Sequence, residues 1–218
     1  MRSWSAQSFM SEIGHFIIPT HKLLASVCKD YEIESWGANP QDPEIEANQF
    51  AAEFLLPAHV VRNKLVSAMS SISRISLLAN EYDTRLTATV RRFVEITDHA
   101  CAMVWSQDGQ ARFYNRSERF TFFLSINDIP HKQSYAGRLF SSMSVPTDFN
   151  PVDPQFWLNA SDAEKIGLLL EHSISLPNYS AVLTLLWIQN PPEAGDEDEL
   201  LEDLDPESFT LQRKRWPR

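Results

Sequence analysis

The residues of this chain best suited to chemistry are Ser11-Glu12-Ile13-Gly14-His15 and, further on, Glu44 together with Glu46-Ala47-Asn48-Gln49-Phe50-Ala51-Ala52-Glu53-Phe54-Leu55-Leu56-Pro57. In an H-E-x-x-H helix the two histidines, four apart, share one face and bind zinc, while the intervening glutamate polarises the water that attacks a peptide carbonyl. Here the second half of that pattern is present, and Ser11 stands where the first histidine would be. A neutral hydroxyl is a poor substitute for imidazole, so zinc binding is expected to be weak or absent. His21, Cys28 and His59 are further donors, but none has a spacing that predicts convergence, and His21 lies beyond Pro19.

Helices must position these groups. Trp4, Phe9, Ile13, Phe16 and Ile17 recur at three- and four-residue steps, which predicts a helix over about 3–18. Pro19 ends it. Asp42 is a good N-cap for a second helix, Pro43 suits its first turn, Glu44 and Glu46 favour its positive end, and Pro57 closes it. Residues 19–41, between the two, read as a loop.

The segment 58–97 is again helical. Ile75 to Tyr82, the turn-prone Asp83-Thr84 and a second periodic stripe from Leu86 to Ile96 suggest a helix-turn-helix. From about 99 the pattern changes to strands. Cys101 to Trp105 and Ala111 to Tyr114 flank the hairpin signal Asp108-Gly109, and Ser173 to Leu176 and Ala181 to Ile188 flank Pro177-Asn178-Tyr179. The fold class is therefore α+β, with an antiparallel sheet in the last third. Four parts result: 1–57, 58–97, 98–190 and a tail over 191–218.

The chain has 218 residues, 43% of them hydrophobic and 22% charged, which are globular values. Net charge is −10, and residues 190–218 carry nine acids against four bases, so that segment holds −5 of it and reads as disordered. The mildly acidic remainder argues against broad nucleic-acid binding. Arg74, Arg85, Arg91 and Arg92 form a local basic group that could meet phosphates, although a solvated or packed role is the stronger reading. Trp105, Phe113, Tyr114, Phe120, Phe122 and Phe123 could line a small-molecule pocket, but aromatics among strands more often form core. Two distant cysteines, the lack of an apolar leader and the lack of any long apolar run point to a reduced, cytoplasmic protein with no membrane span.

Taken together, S-E-I-G-H and E-A-N-Q-F-A-A-E-F-L-L-P resemble the ImmA/IrrE family of zinc metallopeptidases, whose usual form is roughly H-E-x-G-H with E-A-N-x-F-A-A-x-L-L-x-P. Arg85 to Glu95, Cys101 to Val104 with Asp108-Gly109, and Leu176 to Leu185 also look like segments of longer family members. That resemblance implies a zincin-like peptidase domain, a helix-turn-helix-like middle and a C-terminal sensing domain of GAF type. It implies His15 and Glu46 as zinc ligands, with Glu44 as the fallback for Glu46, and Glu12 as general base. It also implies a helix-turn-helix repressor as substrate, cleaved to switch on stress or mobile-element genes. Only ten residues precede Ser11, so the peptidase domain reads as truncated, without the strands that such enzymes offer to an extended substrate. With Ser11 in place of histidine, a non-catalytic protein that binds the repressor is the alternative.

Overall fold

The computed structural model describes residues 6–23, 43–65, 71–124 and 130–191. Its helices in chain order are α1 (Ala6–Ile17), α2 (Pro43–Leu55), α3 (Ala58–Leu65), α4 (Ile72–Glu81), α5 (Leu86–Ile96), α6 (Tyr135–Phe140) and α7 (Ala160–Glu164). The strands are β1 (Cys101–Gln107), β2 (Gln110–Arg116), β3 (Asn150–Val152), β4 (Leu169–Leu176) and β5 (Ala181–Ile188). They form one antiparallel sheet in the order β2-β1-β5-β4-β3, so the chain is α+β as its sequence predicts. Trp4, Cys28, the Asp42 cap and the acidic tail beyond Pro191 lie outside the described residues.

Both predicted hairpins form. Asp108 and Gly109 take positive φ values of 53° and 78°, the left-handed pair that a two-residue turn needs to match the twist of β1 and β2. A short 3-10 turn at Pro177–Tyr179 and a left-handed Ser180 join β4 to β5. All eight residues of β5 are buried, because this central strand is covered on both faces. Its apolar composition, interrupted only by the hydrogen-bonded Thr184, follows from that position, since a strand with one wet face would alternate.

The sheet divides two apolar cores by the two-residue period of its strands. Met103, Trp105, Leu183 and Leu185 face α3–α5, where Leu56, Val61, Ile75 and Phe93 meet them. Ala102, Val104, Val182 and Leu186 face the other way, onto Phe120, Trp157 and Ile166. The aromatic residues of this part thus divide between two packed cores, and Phe123 is exposed under the Arg116 guanidinium.

Two polar contacts join the helices to the sheet and to one another. His172 on β4, almost fully buried, accepts the Ile72 backbone N–H at Nδ1 over 3.2 Å and so caps the first turn of α4. Arg92 on α5, 7% exposed, donates to the Leu56 carbonyl at the end of α2 and pairs with Glu53 at 2.7 Å. Arg91 pairs with Glu95, Arg85 donates to Ser8, and Arg74 donates to the Lys64 carbonyl. Each of these arginines thus bonds to another part of the protein; Arg74 is exposed and Arg92 is buried.

Burial lowers the His172 pKa, against a raising effect of Asp148 3.9 Å away, so the folded protein holds this ring neutral. A depressed folded pKa gives stability that is present above the unfolded value near 6.5 and is lost as pH falls below it toward the folded value. The expected outcome is a melting temperature that drops between pH 7 and 5 with a slope reduced by His172→Gln, read by circular dichroism. Arg92→Met should cost about 1–2 kcal/mol in chemical denaturation, because it removes the donor to Leu56 and leaves exposed Glu53 free to be solvated.

Candidate functional site

Close packing of two helices builds the site. Gly14 lies on the face of α1 that meets α2, where a Cβ would fall 3.1 Å from Phe50 Cδ1, 3.2 Å from Ala47 Cα and 3.3 Å from the Ala47 carbonyl oxygen. Ala47 and Ala51 are fully buried at this interface, beside Gln7, Met10 and Ser11 of α1. Small residues on both helices let the backbones approach closely, and the face with the smallest side chains becomes the contact face.

The apolar stripe of α1 does not make this contact. Phe9, Phe16 and Ile17 are 60%, 79% and 53% exposed, so the periodic stripe faces solvent, while the line Gln7, Met10, Ser11 and Gly14 is buried. The physical reason is steric. Periodicity marks a large apolar face, but the backbone approach at Gly14 and Ala47 can be made only by the other one.

His15, one residue beyond Gly14, reaches the start of α2. Its Nε2 lies 3.4 Å from Glu44 Oε2, with the two side chains 17% and 27% exposed. The Pro19–Leu23 3-10 turn follows α1 and folds His21 back against His15, with ring centroids 4.9 Å apart at an interplanar angle of 44°. The His21 side chain is 2% exposed, and its Nε2 lies 2.9 Å from Glu46 Oε2 in a hydrogen bond. Two nitrogens of this pair, His15 Nε2 and His21 Nδ1, are buried without a hydrogen-bond partner.

The sequence-predicted residues therefore fall as follows. Glu44, the fallback, is the carboxylate beside His15; Glu46, one helical step away, pairs with His21. Glu12 is exposed on α1, and Ser11 is buried at 5% exposure. His21, whose spacing gave no reason to expect convergence, is the residue that sequence reasoning missed. Its signal was Pro19, which ends α1 and turns the chain back over the helix end instead of leading it away. His59 is exposed on α3 and belongs to none of these contacts. Cys101 is buried in the sheet core, and burial pushes its thiol up to about 12, which leaves it protonated and inert.

The donor set is that of a zinc-type centre, with imidazole nitrogens and carboxylate oxygens. Two donors each about 2.0–2.1 Å from a tetrahedral ion lie about 3.3–3.4 Å from one another. The His15–Glu44 separation matches that spacing. Among the described residues, no three His, Cys, Asp or Glu side chains already surround one point. His15 and Glu44 are two donors that could share an ion only with further ligands.

A separate cavity of about 300 Å³ opens between α1, α2 and α5, lined by Gln7, Asn48, Gln49, Glu53, Arg91, Arg92 and Glu95 among others. Its two arginines and two glutamates balance in charge. None of Glu12, His15, His21, Glu44 or Glu46 lines it. No helix among the described residues is long and apolar enough to cross a membrane. Neither protein-family models nor curated proteins give a match to this chain.

Because the site depends on the α1–α2 approach, Gly14→Val should destabilise the protein by about 1–3 kcal/mol through overpacking against Ala47 backbone, which cannot swing away. Thermal unfolding of the purified variant measures this. Equal melting temperatures would mean that the two helices are not held at this distance.

Proposed function

We propose that this protein is a regulator built on an ImmA/IrrE-like zinc-peptidase scaffold, with a helix-turn-helix repressor as its substrate or partner, and with peptide cleavage impaired by Ser11. The observation that carries the reading is the juxtaposition of His15 with a carboxylate of the E-A-N helix, across a helix pair drawn together at Gly14 and Ala47. Motifs far apart in sequence meet at the place where such a scaffold needs them. His15 with Glu44 or Glu46 would hold the ion, whose chemistry when bound is to polarise a carbonyl and acidify water. Glu12 stands exposed one turn from His15, free to accept a proton from water and return it to a leaving amine.

The buried Ser11 supplies no imidazole, and this favours a second reading in which the scaffold binds its repressor without cutting it. The exposed face of α1 supports that reading. Phe9 and Phe16, seven residues apart on one side of the helix, present large apolar surface of the kind that a partner covers. The α+β part beyond residue 98, whose antiparallel sheet carries α3–α5 on one face, is in this proposal the GAF-like sensing part that adjusts the response.

Co-expression with helix-turn-helix repressors of the same genome tests the two readings together. The expected result is association with one repressor, little cleavage by the native chain, and cleavage gained on Ser11→His and lost again on adding Glu12→Gln. Association that survives Glu12→Gln with no cleavage by any variant would favour the binding protein. A chain that neither binds nor cuts any of them would refute both.

A further inference from the structure

His21 sits where a ligand is wanted. Its Nε2 is bonded to the Glu46 carboxylate at 2.9 Å, and its Nδ1 is buried with no partner. A buried polar nitrogen left unpaired costs about 1–3 kcal/mol, and here two neighbouring rings carry one each. An imidazole with one nitrogen held by a carboxylate and the other bare has the form of a metal-binding histidine, in which the carboxylate fixes the tautomer and makes the ring more basic. Nε2–H donates to Glu46, which leaves the Nδ1 lone pair for an ion. His15 Nε2 makes no hydrogen bond within the fold and stands 3.4 Å from Glu44 Oε2, the separation of two ligands on one ion.

Ser11 cannot take this role. It is on α1 with a hydroxyl, a weak zinc donor, whereas His21 reaches the same end of α1 from the Pro19–Leu23 turn. We infer that His21 Nδ1 provides the ligand that position 11 lacks, so that His15, Glu44 and His21 form a two-histidine, one-carboxylate centre for a zinc-class divalent ion, with Glu46 positioning the His21 ring. The ring centroids are 4.9 Å apart, and no three donors surround one point among the described residues, so binding reorients at least one ring. This inference rests on the reading of α1 and α2 as a peptidase-type metal scaffold, but it names a ligand that the sequence motif does not contain.

Zinc competition against a chromophoric chelator, using the full chain first stripped with a strong chelator, gives the affinity, and cobalt(II) absorption reports the coordination. One ion per chain is expected, with His21→Ala weakening binding at least about 100-fold, Glu46→Gln about 10- to 100-fold, and Ser11→Ala leaving it unchanged. Should His21→Ala fail to fold, long-range 15N imidazole spectra of the native protein serve instead, and zinc should shift His21 Nδ1 and His15 Nε2. Native-like affinity in His21→Ala, an unmoved His21 Nδ1, or no zinc bound by the native chain would overturn the inference. A repressor held without any metal dependence would leave the functional reading standing and this inference fallen. His21-dependent zinc binding with no repressor bound or cut would do the reverse.

Discussion

The approach of α1 to α2 at Gly14 is the constraint on which the candidate site depends. A hydrogen in place of a methyl group lets the Ala47 backbone come within the distance at which a Cβ would begin to collide. The consequence reaches one residue further, where His15 projects from α1 at the level of the first turn of α2 and finds Glu44 there. A wider helix pair would separate these side chains beyond the reach of a shared ion. The same contact decides which face of α1 is buried, and so leaves Phe9 and Phe16 in solvent.

That helix pair is held in turn by the rest of the molecule. The Gln7 side chain accepts the backbone N–H of Arg85 ahead of α5, and the Ala6 N–H reaches Asp83 in the turn before it. Arg92 ties the end of α2 to α5, and the apolar faces of α3, α4 and α5 close over one side of the sheet. His172 then fixes the start of α4 to β4. A continuous set of contacts therefore runs from the buried central strand β5 to the pair of imidazoles.

Buried polar groups differ in how fully the fold satisfies them. In the sheet half, Glu171 is fully buried, yet its carboxylate accepts the Ala136 N–H, the Trp157 indole N–H and the Ser173 hydroxyl at 2.7–2.9 Å. Burial still raises its pKa, with these donors opposing the shift. That group has its partners and acts as a structural tie to α6. His15 and His21 differ because each keeps a buried nitrogen that nothing in the fold satisfies. The two rings lie side by side, one at the end of α1 and the other in the turn that follows it.

Local signals in the sequence were enough for much of the secondary structure. Asp108-Gly109 named its turn because only such residues enter left-handed backbone cheaply, and the apolar run of β5 announced a strand. Pro57 and the acidic first turn of α2 marked a helix, and the chemistry of Glu44, Glu46 and His15 was visible as residue types. What the sequence could not contain was distance. Which of two carboxylates meets His15, whether a large apolar stripe or a line of small residues faces the neighbour, and where the turn after Pro19 delivers His21 are all settled by how closely two backbones can pack. Periodicity records side-chain size along one helix, whereas convergence depends on the shape of two helices in contact, and only the tertiary structure carries that information.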